Sequence, residues 1–103
     1  MKEQNIQRQI IEYLTLEGFF VIKNNTVGVY VKKRDTYIPN PAKGLADITA
    51  IRNGKVIMIE VKNERGVQTP NQIDFQNKWE QAGGTYILVR SLDDLILGLR
   101  FIL

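Results

Sequence analysis

The 103-residue sequence contains neither cysteine nor histidine. The lack of cysteine excludes a disulfide framework and a thiolate-ligated metal site. The lack of histidine excludes a serine–histidine triad, imidazole acid–base catalysis and His-ligated zinc or iron. Any metal site formed by this chain must therefore use oxygen ligands, which suit magnesium, manganese or calcium.

Long apolar segments are also missing. No run approaches the roughly 18 apolar residues that a membrane-spanning helix needs, and the polar start "MKEQNIQRQIIEYL" has no secretory h-region. We therefore expect no membrane association. The length and a hydrophobic content of 44% predict one domain over residues 1–103 with a modest core.

The formal net charge of +3 is a mild indication of a polyanionic partner. Positive charge is densest at Lys32, Lys33 and Arg34, and Lys43 lies nearby. These side chains are candidate phosphate contacts. A solvated loop is the alternative, and charge alone favours that alternative.

Hydrophobic periodicity predicts an α/β domain in which a mixed β-sheet is flanked by helices. Apolar side chains recur at helical spacing after residue 3, Asn53-Gly54 is a favoured hairpin turn, and Thr69-Pro70 is typical of a helix start. The predicted order is a helix over 3–17, a strand over 19–23, an extended segment within 24–31, a mobile loop with a hairpin-like base over 32–44, a β-hairpin over 46–62, a helix from 70 to 82, a strand over 85–89 and a helix after 91.

The hairpin register places charged residues together. If Asn53 and Gly54 form a two-residue turn, Asp47 lies opposite Glu60, and Lys62 shares their face. The other face is then an apolar core face made of Ile48, Ala50, Ile57, Ile59 and Val61.

Two opposed carboxylates repel each other unless they share a proton or a cation. Magnesium usually takes one or two protein carboxylates and keeps water or phosphate oxygens as its other ligands. Asp47 and Glu60 are therefore candidate metal ligands. The alternatives are a solvated strand end with a Lys62 salt bridge, or a register slip or bulge that disperses the cluster.

Two further polar residues fall on apolar helix stripes. Glu3 lies on the stripe of the first helix, where an acid in the first turn also complements the helix dipole. Gln72 lies on the stripe of the second helix, where it can also complete a capping box with Thr69. Gln68 and Gln76 are weaker candidates of the same kind.

These residues resemble a known family. Asp47 followed by Glu60-Val61-Lys62 across a β-hairpin, after a helix that bears an acid, resembles the PD-(D/E)XK nuclease superfamily. The stretch "GLADITAI…IEVKNERGVQTPNQIDFQNKWEQAGGTYILVRS" more narrowly resembles the VRR-NUC domain, and the resemblance runs from about Glu3 to Leu95. Ala46 replaces the proline of the motif, and Val89-Arg90-Ser91 lacks the second arginine of the eponymous stretch.

The resemblance implies a restriction-endonuclease-like core and a role for each matched residue. Asp47 and Glu60 would bind metal together with the backbone carbonyl of Val61, and Lys62 would orient or activate the attacking water. Glu3 would be the acid of the N-terminal helix, and Gln72 the helical glutamine.

The resemblance further implies a Mg²⁺- or Mn²⁺-dependent endonuclease that hydrolyses DNA phosphodiesters. Branched DNA such as a Holliday junction is the expected substrate, a homodimer the expected assembly, and the cytoplasm of a bacterial or phage-infected cell the expected location. The choice between one and two metal ions stays open. A non-catalytic nucleic-acid-binding or assembly module on the same fold is the alternative function.

Overall fold

The computed structural model describes residues 1–24, 29–38 and 43–103. Its elements, in chain order, are α1 (Glu3–Leu16), β1 (Phe20–Lys23), β2 (Val29–Val31), a 3-10 turn (Lys32–Arg34), β3 (Thr36–Ile38), β4 (Ile48–Arg52), β5 (Lys55–Val61), α2 (Pro70–Gln81), β6 (Thr85–Val89) and α3 (Leu92–Ile102). None of the helices in these ranges is both long and apolar enough to cross a membrane.

The central sheet is mixed, as the sequence predicts. Its four strands are ordered β1-β4-β5-β6. The β1–β4 and β4–β5 pairs are antiparallel, whereas β5 and β6 are parallel. A parallel pair needs a crossover connection, and α2 provides it. The predicted α/β class is confirmed.

The β4–β5 hairpin has the predicted register. Asn53 and Gly54 both have positive φ, 52° and 79°, which a type I′ turn requires of its two central residues. Pairing runs without interruption from Arg52–Lys55 to Ile48–Ile59. A register slip or bulge within this ladder is therefore excluded.

The sheet buries a hydrophobic cluster on each face. The larger cluster joins α1, α3 and the predicted core face of the hairpin: Ile6, Ile10, Leu14, Phe19, Ile48, Ala50, Ile57, Ile59, Val61, Val89, Leu95 and Leu99. The smaller cluster lies beneath α2 and contains Ala46, Met58 and Tyr86, against which Leu45, Phe75 and Trp79 pack. Side chains alternate between the faces of a strand, so Glu60 and Lys62 lie on the Met58 face, below α2.

The start of α2 packs closely against the segment that leads into β4. Thr69 and Gln72 form a reciprocal capping box at the start of α2. Gly44, three residues before Asp47, has φ of 77° and lies so close to this helix end that an added Cβ would collide with the Asn71 carbonyl oxygen. Only glycine fits there, so the chain enters β4 at a fixed position.

The segment before the hairpin differs in part from the predicted mobile loop. β2 and β3 form a separate two-stranded antiparallel sheet joined by the 3-10 turn, which agrees with the hairpin-like base. Regular structure therefore extends to residue 38. Residues 25–28, within the predicted extended segment, and the proline-containing part of the loop at 39–42 lie outside the described residues.

Candidate active site

Asp47 lies where the main-chain pairing of β4 with β5 ends. The last pair is Ile48–Ile59. One residue before it, the Asp47 carbonyl accepts a 2.8 Å hydrogen bond from the Asn24 N–H, beyond the end of β1. The Asp47 Oδ2 atom accepts a 2.8 Å hydrogen bond from the Val61 N–H on β5. The carboxylate of Asp47 therefore joins β4 to β5 by a side-chain hydrogen bond.

Glu60 is the most deeply buried acid in the described part of the chain, with 1% of its surface exposed. Its pKa is raised from the usual 4.5 to about 9. Burial is the largest cause, followed by a hydrogen bond with Asp47 and the negative charge of Asp47. The charge of Lys62 and the hydrogen bond from Tyr86 oppose this rise. The carboxyl groups of Asp47 and Glu60 thus meet, as the hairpin register predicts.

Lys62 completes the predicted group. It is 9% exposed, and its main-chain N–H donates a 3.0 Å hydrogen bond to the Val89 carbonyl on β6. Its ammonium is close enough to lower the pKa of Glu60. Because Glu60 and Lys62 are both buried, the alternative of a solvated strand end is wrong. Their burial must be compensated by charges and hydrogen bonds within the protein or by a bound ion.

Glu3 reaches the end of β5 rather than the acid pair. Its Oε2 accepts a 3.3 Å hydrogen bond from the Asn63 N–H, the residue after Lys62. Glu3 Oε2 and Lys62 Cβ lie 3.2 Å and 3.3 Å from the position that a Cβ on Gly66 would occupy. Glu3 and the stem of Lys62 therefore both border Gly66, in the turn that follows β5.

The side chain of Gln72 is used in the α2 cap. Its Oε1 accepts a 2.9 Å hydrogen bond from the Thr69 N–H, and its own N–H donates 3.2 Å to Thr69 Oγ1. The capping interpretation is confirmed, and the catalytic role of Gln72 stays a prediction. Gln68, a weaker candidate, instead donates a 3.2 Å hydrogen bond to the Tyr86 hydroxyl.

Arg90 and Ser91 are the residues that the resemblance matches to the eponymous Val-Arg-Arg stretch. Arg90 Nη1 donates hydrogen bonds of 2.6 Å to the Asn63 carbonyl and 2.7 Å to the Gly66 carbonyl. It thereby fixes the turn that follows Lys62. Ser91 caps α3, since its Oγ accepts a 3.1 Å hydrogen bond from the Asp94 N–H. The serine that stands in place of the second arginine thus has a structural task.

The predicted DNA-contacting side chains are all exposed: Lys32, Lys33, Arg34 and Lys43. The first three form the 3-10 turn between β2 and β3. Lys43 precedes Gly44 and thus lies near the start of α2, in the segment that leads to Asp47. The structure therefore leaves these positions accessible to a polyanion.

The acid pair fits an oxygen-ligated divalent cation. Two carboxylates meet in a largely buried position, where both can be ionised only if a cation is near. Two protein carboxylates, with water or substrate oxygens, are the ligand set that magnesium uses in proteins. Within the described ranges no group of three or more potential acidic ligands forms, so Glu3 does not join Asp47 and Glu60 as a third carboxylate.

Two residues that support the acids were missed in the sequence. Asn24 Nδ2 donates hydrogen bonds of 2.9 Å to the Ala46 carbonyl and 2.8 Å to Thr49 Oγ1, on either side of Asp47. The Tyr86 hydroxyl lies 3.5 Å from Glu60 Oε2 and donates to it. Both contacts span more than twenty positions in the sequence, and no local pattern signals them.

Comparison with known proteins supports the fold assignment. A solved structure described as a "VRR_NUC domain" superposes on the chain with a TM-score of 0.71 and covers 95% of this chain and 94% of that chain. The chain has the VRR_NUC fold. Sequence identity over the match is 19%, so the likeness concerns the fold alone. No protein-family model and no curated protein matches the sequence.

Proposed function

We propose that this protein is a metal-dependent DNA endonuclease of the VRR-NUC family. The observation that carries the proposal is the meeting of the Asp47 and Glu60 carboxyl groups, with Glu60 1% exposed. Such a pair destabilises a metal-free fold once both acids ionise. A binding role for a divalent cation explains why the chain keeps it.

The positions of the side chains support the roles that the resemblance implies. Asp47 and Glu60 would hold a Mg²⁺ or Mn²⁺ ion together with the Val61 carbonyl, and such an ion supplies a Lewis acid for phosphate oxygens. The hydrogen bond from the Val61 N–H to Asp47 holds the main chain next to Glu60 against Asp47. Lys62, buried beside Glu60, would hold the attacking water in line with the phosphorus atom. Glu3 and Arg90 would fix the turn after Lys62.

DNA is the proposed partner. Phosphodiester hydrolysis requires that a polyanion approach the acids, which needs positive charge close by. The net charge is +3, and the exposed cluster at 32–34 and Lys43 supply candidate contacts to phosphates. Lys43 is the candidate contact nearest to the acids in sequence, four residues before Asp47.

Branched DNA and a homodimer are proposed as the substrate and the assembly. Two strands of a four-way junction require two sites, and a two-fold dimer would present them. β1 is an outer strand of the main sheet, and its Phe20 and Ile22 are 67% and 46% exposed. An exposed edge strand with apolar side chains is a surface that a second subunit would cover.

A cleavage panel in Mg²⁺ tests the proposal. Linear duplex, single strand, flap, splayed arm and four-way junction are incubated with the protein, and its molecular mass is measured under the same conditions. We expect cutting that requires the divalent ion, with the junction cut fastest by a species of twice the monomer mass.

The controls separate catalysis from folding. Asp47→Ala, Glu60→Ala and Lys62→Ala should each abolish cutting while circular dichroism shows an intact fold. Glu80→Ala, which removes an exposed acid of α2, should cut as wild type does. Wild-type cutting by all three site variants would contradict the proposal. Tight DNA binding without cleavage in any divalent metal would instead support a non-catalytic binding module.

A further inference from the structure

Tyr86 connects the acid pair to the underside of α2. It is 8% exposed, and its hydroxyl donates a hydrogen bond of 3.5 Å to Glu60 Oε2. Tyr86 pairs with Met58 in the parallel β5–β6 ladder, so its side chain shares the face of Met58 and Glu60. The hydroxyl therefore approaches Glu60 from the interior of the domain.

The ring of Tyr86 is held by two other aromatic side chains. Phe75 lies 6.4 Å from it, centroid to centroid, at an angle of 52°, and Phe75 stacks on Trp79 at 6.1 Å. The Trp79 indole N–H donates a 2.8 Å hydrogen bond to the Thr85 carbonyl, the residue before Tyr86. These contacts restrict where the hydroxyl can lie.

Gln68 determines the direction in which the Tyr86 hydroxyl donates. The Gln68 Nε2 group donates to the Tyr86 oxygen at 3.2 Å and to Gln76 Oε1 at 3.0 Å. Because the Tyr86 oxygen already accepts from Gln68, its own proton is available to Glu60. Gln68 thus contacts Glu60 indirectly, through the Tyr86 hydroxyl.

We infer that Tyr86 is a positioning residue for Glu60: its hydroxyl orients the Glu60 carboxylate for a divalent cation, and Gln68 orients that hydroxyl. A glutamate has several rotatable bonds, and a ligand held by an outer hydrogen bond does not need to be reoriented when the ion arrives. The inference rests on the proposed function, because it assumes that Glu60 binds the ion.

The test measures Mn²⁺ binding by electron paramagnetic resonance, without DNA. Tyr86→Phe keeps the ring and removes the hydroxyl. We expect its Mn²⁺ dissociation constant to rise about tenfold, the lower end of the effect of losing an outer partner. The Mg²⁺ concentration for half-maximal cleavage should rise by the same factor, and excess Mg²⁺ should restore the rate. Tyr13→Phe, which removes a hydroxyl from α1 on the other face of the sheet, is the matched control and should bind Mn²⁺ as wild type does.

Gln68→Leu and the double variant test the order of the chain of contacts. Gln68→Leu should raise the dissociation constant in the same direction and by less, and Tyr86→Phe/Gln68→Leu should match Tyr86→Phe alone, because Gln68 acts through the missing hydroxyl. Additive losses would overturn this order. If Tyr86→Phe does not fold, the Mn²⁺ dissociation constant of Gln68→Leu alone tests whether the hydroxyl orients Glu60, and an unchanged value would overturn that role.

The failures of the two proposals are distinguishable. An unchanged Mn²⁺ affinity in Tyr86→Phe and Gln68→Leu, while wild type binds Mn²⁺ and cuts DNA, would overturn the role of Tyr86 and leave the nuclease intact. A lower melting temperature with unchanged Mn²⁺ affinity would reduce Tyr86 to a packing role and likewise overturn it. Absence of Mn²⁺ binding and cleavage by wild type would overturn both.

Discussion

The main-chain N–H of Val61 donates a 2.8 Å hydrogen bond to Asp47 Oδ2, beyond the last main-chain pair of β4 and β5, Ile48–Ile59. The Asp47 carboxylate therefore has two tasks. One oxygen holds the hairpin together, and the group also faces Glu60. The stability of the hairpin and the proposed metal binding therefore both depend on Asp47, and two different substitutions should separate these effects.

Asp47→Asn and Asp47→Leu should separate these tasks. Asparagine keeps an oxygen that can accept from Val61, whereas leucine leaves that N–H without its acceptor. An unsatisfied buried donor costs about 1–3 kcal/mol. We expect Asp47→Leu to have a free energy of unfolding lower than that of Asp47→Asn by this amount in urea titrations, with neither variant cutting DNA. Equal stability of the two variants would argue against a structural task for the carboxylate.

Glu60→Gln should change how stability depends on pH. The pKa of Glu60 is about 9 in the folded chain, against the usual 4.5. Between these values the unfolded chain has released the proton and the folded chain has not, so rising pH favours the unfolded state. Without metal, the free energy of unfolding should therefore fall with pH from about 4.5 to about 9, by at most about 1.4 kcal/mol per pH unit.

The glutamine variant is the reference for that pH series. It lacks the titrating group, so its stability should decline less, and the variant should become more stable than wild type at high pH. Urea titrations in chelator at several pH values give the comparison. Parallel curves for the two proteins would show that Glu60 titrates near its usual pKa.

Gly44→Ala should disturb the approach to Asp47, and Gly54→Ala is its matched control. Both glycines have φ near +80°, at 77° and 79°. An added Cβ at Gly44 meets the Asn71 carbonyl, whereas nothing lies within 4 Å at Gly54. Left-handed backbone costs a non-glycine residue about 1–2 kcal/mol. Gly54→Ala should lose that much in unfolding experiments and keep its activity, while Gly44→Ala should lose more and cut DNA more slowly. Equal losses would contradict the close approach.

Lys32→Ala and Lys33→Ala should weaken DNA binding in a salt-dependent manner. Each phosphate contact that is lost should reduce the slope of log affinity against log salt by about 0.9. Binding is measured in the Glu60→Gln background, which prevents cutting. Lys78→Ala is the control, because Lys78 pairs with Asp74 at 2.9 Å on α2. A slope unchanged by the Lys32 and Lys33 substitutions would remove the turn between β2 and β3 from the DNA interface.

Local signals in the sequence were sufficient to predict the β4–β5 hairpin and the positions of its charged residues. Asn53-Gly54 determines the register, and the register determines which residues share a face, so the meeting of Asp47 with Glu60 followed from counting. The capping box of Thr69 and Gln72 was likewise readable from residues three apart.

Contacts between segments that are distant in the sequence could not be predicted from it. The Tyr86–Glu60 contact depends on how β6 aligns with β5, and parallel strands have no turn that sets this alignment. Asn24 packs against Ala46 and Thr49 because β1 pairs with β4, which no local pattern specifies. The supporting residues therefore became visible only in three dimensions.

The most direct test of the account is Mg²⁺-dependent cleavage by wild type and Glu60→Gln, measured in single turnover on the best substrate of the panel. Glutamine keeps the size of the side chain and removes its charge, so the fold should persist. We expect wild type to cut, chelator to stop the cutting, and Glu60→Gln to cut more slowly by at least about a hundredfold. Cutting at the wild-type rate by a folded Glu60→Gln protein would contradict the proposed role of Glu60 as a metal ligand.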